Sequence, residues 1–314
     1  MIMKVKFYHV FTVCLILTVA MIICLASCTS PSTGSTTSPN EITDQLGRSV
    51  VIDSPPQRIV SLAPSNTEIL FALGLADRVV AVTDYCNYPP EVKNKPSIGG
   101  FSTPNIEEIV ALSPDLVLAT SIHESKIIPQ LEDKGLTVLA LDPKTIDEVL
   151  EAISLTGRVA DVNENASELL AGMRQRIKLV TDKTDGLSPE QKPRTFYIVW
   201  HDPLKAAGVG TLQDELIAKA GGINIVQELR DYAGISLETV IMANPKVIIV
   251  GAGHGSSENQ TFMYAKAEPR LSETDARQYD RVYAVDADLA SRPGPRIVDG
   301  LEKFAQFIHP ELFD

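Results

Sequence analysis

Apolar residues along this chain recur in two arrangements, short unbroken runs and longer stretches with helical spacing. Runs such as "RIVSLA" (58–63), "RVVAV" (78–82) and "TFYIVW" (195–200) are short and continuously apolar, which predicts strands covered on both faces. "TEILFALGL" (67–75) between the first two predicts a helix. "NIEEIVALSPDLVLAT" (105–120) reads as helix, proline turn and strand, and "KIIPQLEDKGLTVLALD" (126–142) repeats that order. Strands alternating with helices predict an α/β lobe built on a largely parallel sheet.

Residues 145–184 break this rhythm. They hold no proline and place Val149, Ile153, Leu169, Met173 and Ile177 at helical spacing, while "GRVADVNEN" (157–165) leaves open one long helix or two. The polar stretch "DGLSPEQKPR" (185–194) closes the segment. A second α/β series then runs through "TLQDELIAKAGG" (211–222), "LETVIMANPKVIIVG" (237–251), "RVYAVD" (281–286) and a closing helix, "PRIVDGLEKFAQFI" (295–308).

The two series echo each other. Residues 106–119 align without a gap on 237–250, with Glu107 over Glu238 and Pro114 over Pro245. Ahead of these units, "SNTEILFALGL" (65–75) matches "TLQDELIAKAGG", each running from a hydroxyl residue through a glutamate and an apolar helical stretch to glycine. Two matches in the same order predict two similar lobes joined by the helical segment. Helix capping competes for the glutamates: Ser65 and Glu68 have capping-box spacing, and Asp214 holds that place after Thr211, whereas Glu215 does not.

The amino terminus follows another logic. Lys4 and Lys6 precede an acid-free apolar run ending in small residues, the plan of a secretory signal; a retained membrane helix is the competing reading. "LASC" (25–28) resembles the bacterial lipobox, which implies cleavage before Cys28 and acylation of its thiol. "TSPSTGSTTSPN" (29–40) is a flexible tether. The expected organisation is a leader over 1–27, the lipidated Cys28 and linker over 28–42, a first lobe over 43–144, a bridging helix over 145–184 and a second lobe over 185–314.

Composition narrows the function. The net charge of -12 leaves no broad basic surface for nucleic acid, and loss of the leader removes two lysines and no acid. With Cys14 and Cys24 gone and Cys28 acylated, Cys86 has no intrachain partner and reads as a core or pocket-rim residue. The chain has no G-x-S-x-G, H-E-x-x-H, Walker loop or C-x-x-C. "GAGHGS" (251–256) has its third glycine out of register for a dinucleotide loop. His123, His201, His254 and His309 show no metal-ligand spacing, so no metal site is expected; His123 and His201 follow strand ends, where α/β sheets present ligands.

Residues 58–119, with "LKAAGVGTLQDELIAKAGGINIV" (204–226) and "RPGPRIVDGLEKFAQFIHPELF" (292–313), resemble periplasmic binding proteins for cobalamin and related iron chelates. The resemblance spans nearly everything from about residue 43. It implies two Rossmann-like α/β lobes bridged by one long helix, a ligand cleft between them, no resident cofactor, and delivery to the permease of an ABC importer. Glu68 and Glu215 match the family's docking acids, one per lobe, as rim charges that set orientation and association rate.

The same resemblance places Tyr85, Phe101 and Trp200 as flat apolar walls for a macrocycle. It places Asp288, Arg292 and Arg296 as a polar cleft segment in which Arg292 offers a fork of donors. Leu289 stands where relatives often carry tryptophan.

The reading is an extracytoplasmic, lipid-anchored monomer that captures cobalamin or another corrinoid and performs no covalent chemistry. Haem, with His123, His201 or Tyr85 as axial ligand, and a ferric siderophore held by Arg292 are the alternatives. A zinc or manganese binder ranks third. An α/β enzyme using Asp288 or His201 as acid–base groups is the rival from another class.

Overall fold

The first described elements form a small antiparallel hairpin, β1 (Glu41–Thr43) and β2 (Ser49–Val51), in which Ile42 pairs with Val50. Residues 41 and 42, expected in the tether, thus belong to a paired strand. The computed structural model describes residues 40–253 and 259–313. The leader, Cys28 and the tether up to residue 39 lie outside the described residues, as do His254 and the end of "GAGHGS".

The first lobe holds β3 (Ile59–Ser61), β4 (Val79–Val82), β5 (Leu116–Ala119) and β6 (Val138–Ala140) in the order β4-β3-β5-β6, all parallel. Their side chains are almost wholly buried, as continuous apolar strands flanked by helices must be. The second lobe comprises β7 (Arg194–His201), β8 (Leu204–Ala207), β9 (Ile223–Asn224), β10 (Tyr232–Gly234), β11 (Val247–Ala252) and β12 (Val282–Asp286). Its order is β10-β8-β7-β11-β12, with β9 on β7; the β8 and β10 pairings are antiparallel and the rest parallel.

The internal repeat is expressed in the backbone. Ser113 and Asn244, at matching positions before Pro114 and Pro245, both take the left-handed conformation, with φ of 46° and 44°. That turn ends each helix and sends the chain into a buried strand. Asn105 and Ser236 cap the two helices by accepting backbone N–H groups of the first turn.

Residues 145–184 form two helices, Ile146–Val159 and Asn163–Thr184, so the expected single bridge over this range is corrected. The break falls at Asp161, where φ is 53°. A Cβ on Gly157 would come within 2.5 Å of the Ala166 Cβ, so glycine is what lets the second helix fold closely against the first. The second helix runs from one lobe to the other. Near its start Asn165 donates to the Leu73 carbonyl of the first lobe (3.0 Å); near its end Thr184 donates to Lys219 O of the second (2.7 Å).

Candidate functional site

The carboxyl ends of both sheets open on one cleft, the place where doubly wound sheets bind ligands. Its first-lobe half is a cavity of about 610 Å³. Ala63–Ser65 follow β3, Tyr85 follows β4, Thr120–Ile122 follow β5, and Leu141 and Asp142 follow β6. Phe101 completes this wall, and Ser291, Arg292 and Pro293 reach in from the second lobe. The second half, about 370 Å³, is lined by Trp200 at the end of β7, Gly251 and Gly253 at the end of β11, and Tyr197, Tyr232 and Ser291. Ser291 belongs to both halves, so they adjoin.

The two expected aromatics of the first lobe and the one of the second therefore share this cleft. Tyr85 is 62% exposed, an unsatisfied apolar ring at the mouth. The Trp200 indole N–H donates to Asp202 O at 2.7 Å, which leaves its ring face for contact. Gly251 is needed for space: a Cβ there would stand 2.5 Å from the Tyr197 hydroxyl. Burial pushes the Tyr197 hydroxyl well above the usual phenol range.

The histidines have other work. His123 is fully buried. Its Nδ1 accepts from the Thr120 backbone N–H (3.1 Å), so Nε2 carries the proton and donates to Phe101 O at 2.7 Å. Burial lowers its pKa, with the Phe101 carbonyl opposing. His123 thus holds the loop that carries Phe101, whose ring meets the imidazole edge-on at 5.4 Å. His201 bonds Thr261 Oγ1 at 3.0 Å beside Trp200 and Tyr264, and it is not among the residues lining either cavity. His309 bridges Gly221 O and Glu311 far from the cleft elements. Among the described residues no cluster of His, Cys, Asp or Glu has the makings of a metal site.

The polar segment is closed by an ion-pair network across the lobes. Glu68, only 3% exposed, receives Arg296 Nε at 2.9 Å, Arg296 Nη2 at 2.6 Å and Arg292 Nη1 at 3.2 Å. Arg292 also donates to Asn87 Oδ1 (2.6 Å) and lies 3.0 Å from Asp288. The Arg296 guanidinium stacks on the Tyr88 ring, 4.0 Å from its centroid. Burial works against the Arg296 charge, but Glu68 outweighs it and raises the pKa.

Glu68 caps nothing: its helix, Pro64–Ala72, has proline in the first turn and no side-chain cap. Thr211, by contrast, does cap Leu212–Lys219 by accepting from Asp214 N. Glu215 also turns inward, accepting the Ile146 backbone N–H at 2.7 Å, with Lys219 at 3.5 Å.

Asn87 and Tyr88 were missed as site residues, although they lie in the same "TDYCNYPP" stretch as Tyr85. Cys86, between Tyr85 and Asn87, is buried, its sulfur against the Thr67 and Thr83 hydroxyls.

A family model described as periplasmic binding protein matches residues 59–289. The Bacillus subtilis lipoprotein YvrC, an uncharacterized ABC transporter substrate-binding protein, is 34% identical over 286 residues, covering 88% of this chain and 87% of that one. The structure of the vitamin B12-binding protein BtuF of Vibrio cholerae superposes with a TM-score of 0.67 at 30% identity, covering 82% of this chain and 98% of the other. The haem-binding protein BhuT, solved with two haems, does so at 0.73 and 25% identity, covering 81% and 98%.

Proposed function

Because the chain belongs to the periplasmic binding protein family, whose members are non-enzymatic substrate-binding components of ABC transporters, we propose that its ligand is cobalamin or a related corrinoid. The observation that carries this is the aromatic lining of the cleft from both lobes, Tyr85 and Phe101 facing one half and Trp200 the other. Flat rings bury a broad macrocycle at little entropic cost. Arg292, the cation of the larger half, offers donors to amide or phosphate oxygens at the ligand's edge.

Haem is the second reading, favoured by the exposed Tyr85 phenol, which would serve as axial ligand. His123 is poorly suited to that part, since both its ring nitrogens are engaged. Equilibrium dialysis with cyanocobalamin, haemin and a ferric siderophore separates these readings. The corrinoid reading expects retention of cyanocobalamin alone; retention of haemin alone would replace it.

Anchorage by an acylated Cys28 outside the cytoplasm is part of the same proposal, supported by the lipobox-like "LASC" and by the lipoprotein name of the Bacillus relative. Metabolic labelling with a palmitate analogue should mark the wild type and not Cys28→Ser; equal labelling would refute it. Of the two expected docking acids, Glu68 lies buried under Arg292 and Arg296 and offers no carboxylate to a permease, whereas Glu215 keeps part of its side chain exposed and retains that proposed role.

A further inference from the structure

One imidazole joins two walls of the larger cavity. Thr120, Ser121 and Ile122 come from the exit of β5, and Phe101 and Ser102 from the segment between β4 and the helix Ile106–Ala111. The Phe101 loop is closed at its base, where the Asn105 N–H donates to Ile98 O at 2.8 Å. Its tip is tied to the β5 loop by His123, whose Nε2 donates to Phe101 O at 2.7 Å. We propose that His123 is a positioning residue for the ligand: the neutral ring holds Phe101 in the cavity wall, and a proton on Nδ1 cuts the tie and loosens that wall.

The bonding pattern admits one protonation state. Nδ1 accepts from the Thr120 N–H at 3.1 Å while Nε2 donates. An imidazolium is a donor at both nitrogens, so a second proton sets Nδ1–H against Thr120 N–H and the bridge fails at that end. The ring is fully buried, and a charge there lacks solvation. Burial lowers its pKa, with the Phe101 carbonyl opposing. The charged groups on the surrounding elements are Asp84 after β4, Glu107 and Glu108 on the helix Ile106–Ala111, Glu124 and Lys126 beside His123, Glu132, and Asp142 and Lys144 after β6. All of these except Asp142 are exposed, and Asp142 accepts the Ser121 hydroxyl at 2.7 Å. Arg292, across the cavity, is engaged by Glu68.

The other walls have ties of their own. Asn66 Nδ2 donates to Ala119 O at 2.9 Å, joining the helix after β3 to the end of β5, and Ser121 joins the exits of β5 and β6 through Asp142. Protonation of His123 therefore acts on the Phe101 loop and spares the rest of the lobe. The consequence for affinity rests on the reading of this cleft as the ligand site. A ligand that needs Phe101 in place binds the neutral form, and proton and ligand then compete. A wall held in advance also spares the ligand the cost of ordering it.

The first test needs no ligand. The described hydrophobic core lies within residues 50–308, and a solved relative aligns over all of its length with 82% of this chain, so the chain from Asn40 folds without the leader. That chain, carrying isotope-labelled histidine and fluorinated phenylalanine, is followed by magnetic resonance as pH falls from neutral, with His123→Gln and Phe101→Leu assigning the two signals. The His123 nitrogens should show the Nε2–H tautomer at neutral pH. The His123 and Phe101 signals should then change with one common midpoint, below the ordinary imidazole value of about 6.5. In His123→Gln the Phe101 signal should be flat over that range. A Phe101 signal that ignores the titration of His123 would overturn the proposal, as would a His123 that stays neutral until the chain unfolds. If His123→Gln does not fold, the two wild-type midpoints still decide. In equilibrium dialysis, the cyanocobalamin dissociation constant should rise about tenfold at one pH unit below that midpoint. A constant value across the midpoint would overturn the positioning role. Failure to retain cyanocobalamin at any pH would count against the corrinoid reading alone, and the resonance experiment would still judge the tie.

Discussion

Glu68 and Glu215 occupy the same place in two copies of one sequence pattern, yet their surroundings differ. Both reach across from their own lobe. Glu68 meets two guanidinium groups in a nearly dry pocket, whereas Glu215 accepts a backbone N–H at the start of the Ile146–Val159 helix and keeps 19% of its side chain exposed. The helix supplies the local frame; the facing lobe decides what each carboxylate does. A carboxylate between arginines is a structural contact of high cost to break, and one at a helix N-terminus is a modest electrostatic contribution.

The sharpest way to break this comparison is to remove each acid in turn and measure unfolding in denaturant. Glu68→Ala strands two half-buried cations and should cost on the order of 3 kcal/mol. A loss below that of Glu215→Ala would contradict the contrast drawn between them.

A smaller and pH-dependent loss belongs to His123. Burial lowers its folded-state pKa, so the unfolded chain takes up the proton first. Its contribution is complete above about pH 6.5, the ordinary imidazole value, and declines as pH falls from there toward the lowered folded-state pKa. Melting temperatures of the wild type and His123→Gln between neutral and mildly acidic pH should converge as pH falls. Parallel curves would show that His123 does not titrate on unfolding.

The smallest effect expected is that of Glu215→Gln. The amide still accepts from Ile146 N, and only the charge at the helix terminus and the Lys219 pair are lost, worth about 0.5–1 kcal/mol. The loss should shrink with added salt, while that of Glu68→Ala should not.

Much of the fold was legible because it is written in local pattern. Buried strands read as unbroken apolar runs, and the proline turns at Pro114 and Pro245 announced the repeat. The break at Asp161 was legible only as an open choice, since a left-handed aspartate and the close Gly157–Ala166 contact depend on how two helices pack. The cleft aromatics came from resemblance; Tyr85 and Phe101 line one cavity and Trp200 the adjoining one. Asn87 and Tyr88 were not legible, because their partners lie about two hundred residues away on the other lobe. The inward turn of Glu68 was hidden for the same reason: no local pattern records which side chains a facing lobe presents.

The central claim is capture of a corrinoid between the lobes, and Trp200 reports on it directly. It is the chain's only tryptophan and lines the cleft. Titration of the chain from Asn40 with cyanocobalamin, followed by tryptophan fluorescence, should give quenching that saturates at one equivalent and weakens in Tyr85→Ala. Quenching that never saturates, or saturation by haemin with no response to cyanocobalamin, would contradict the corrinoid assignment.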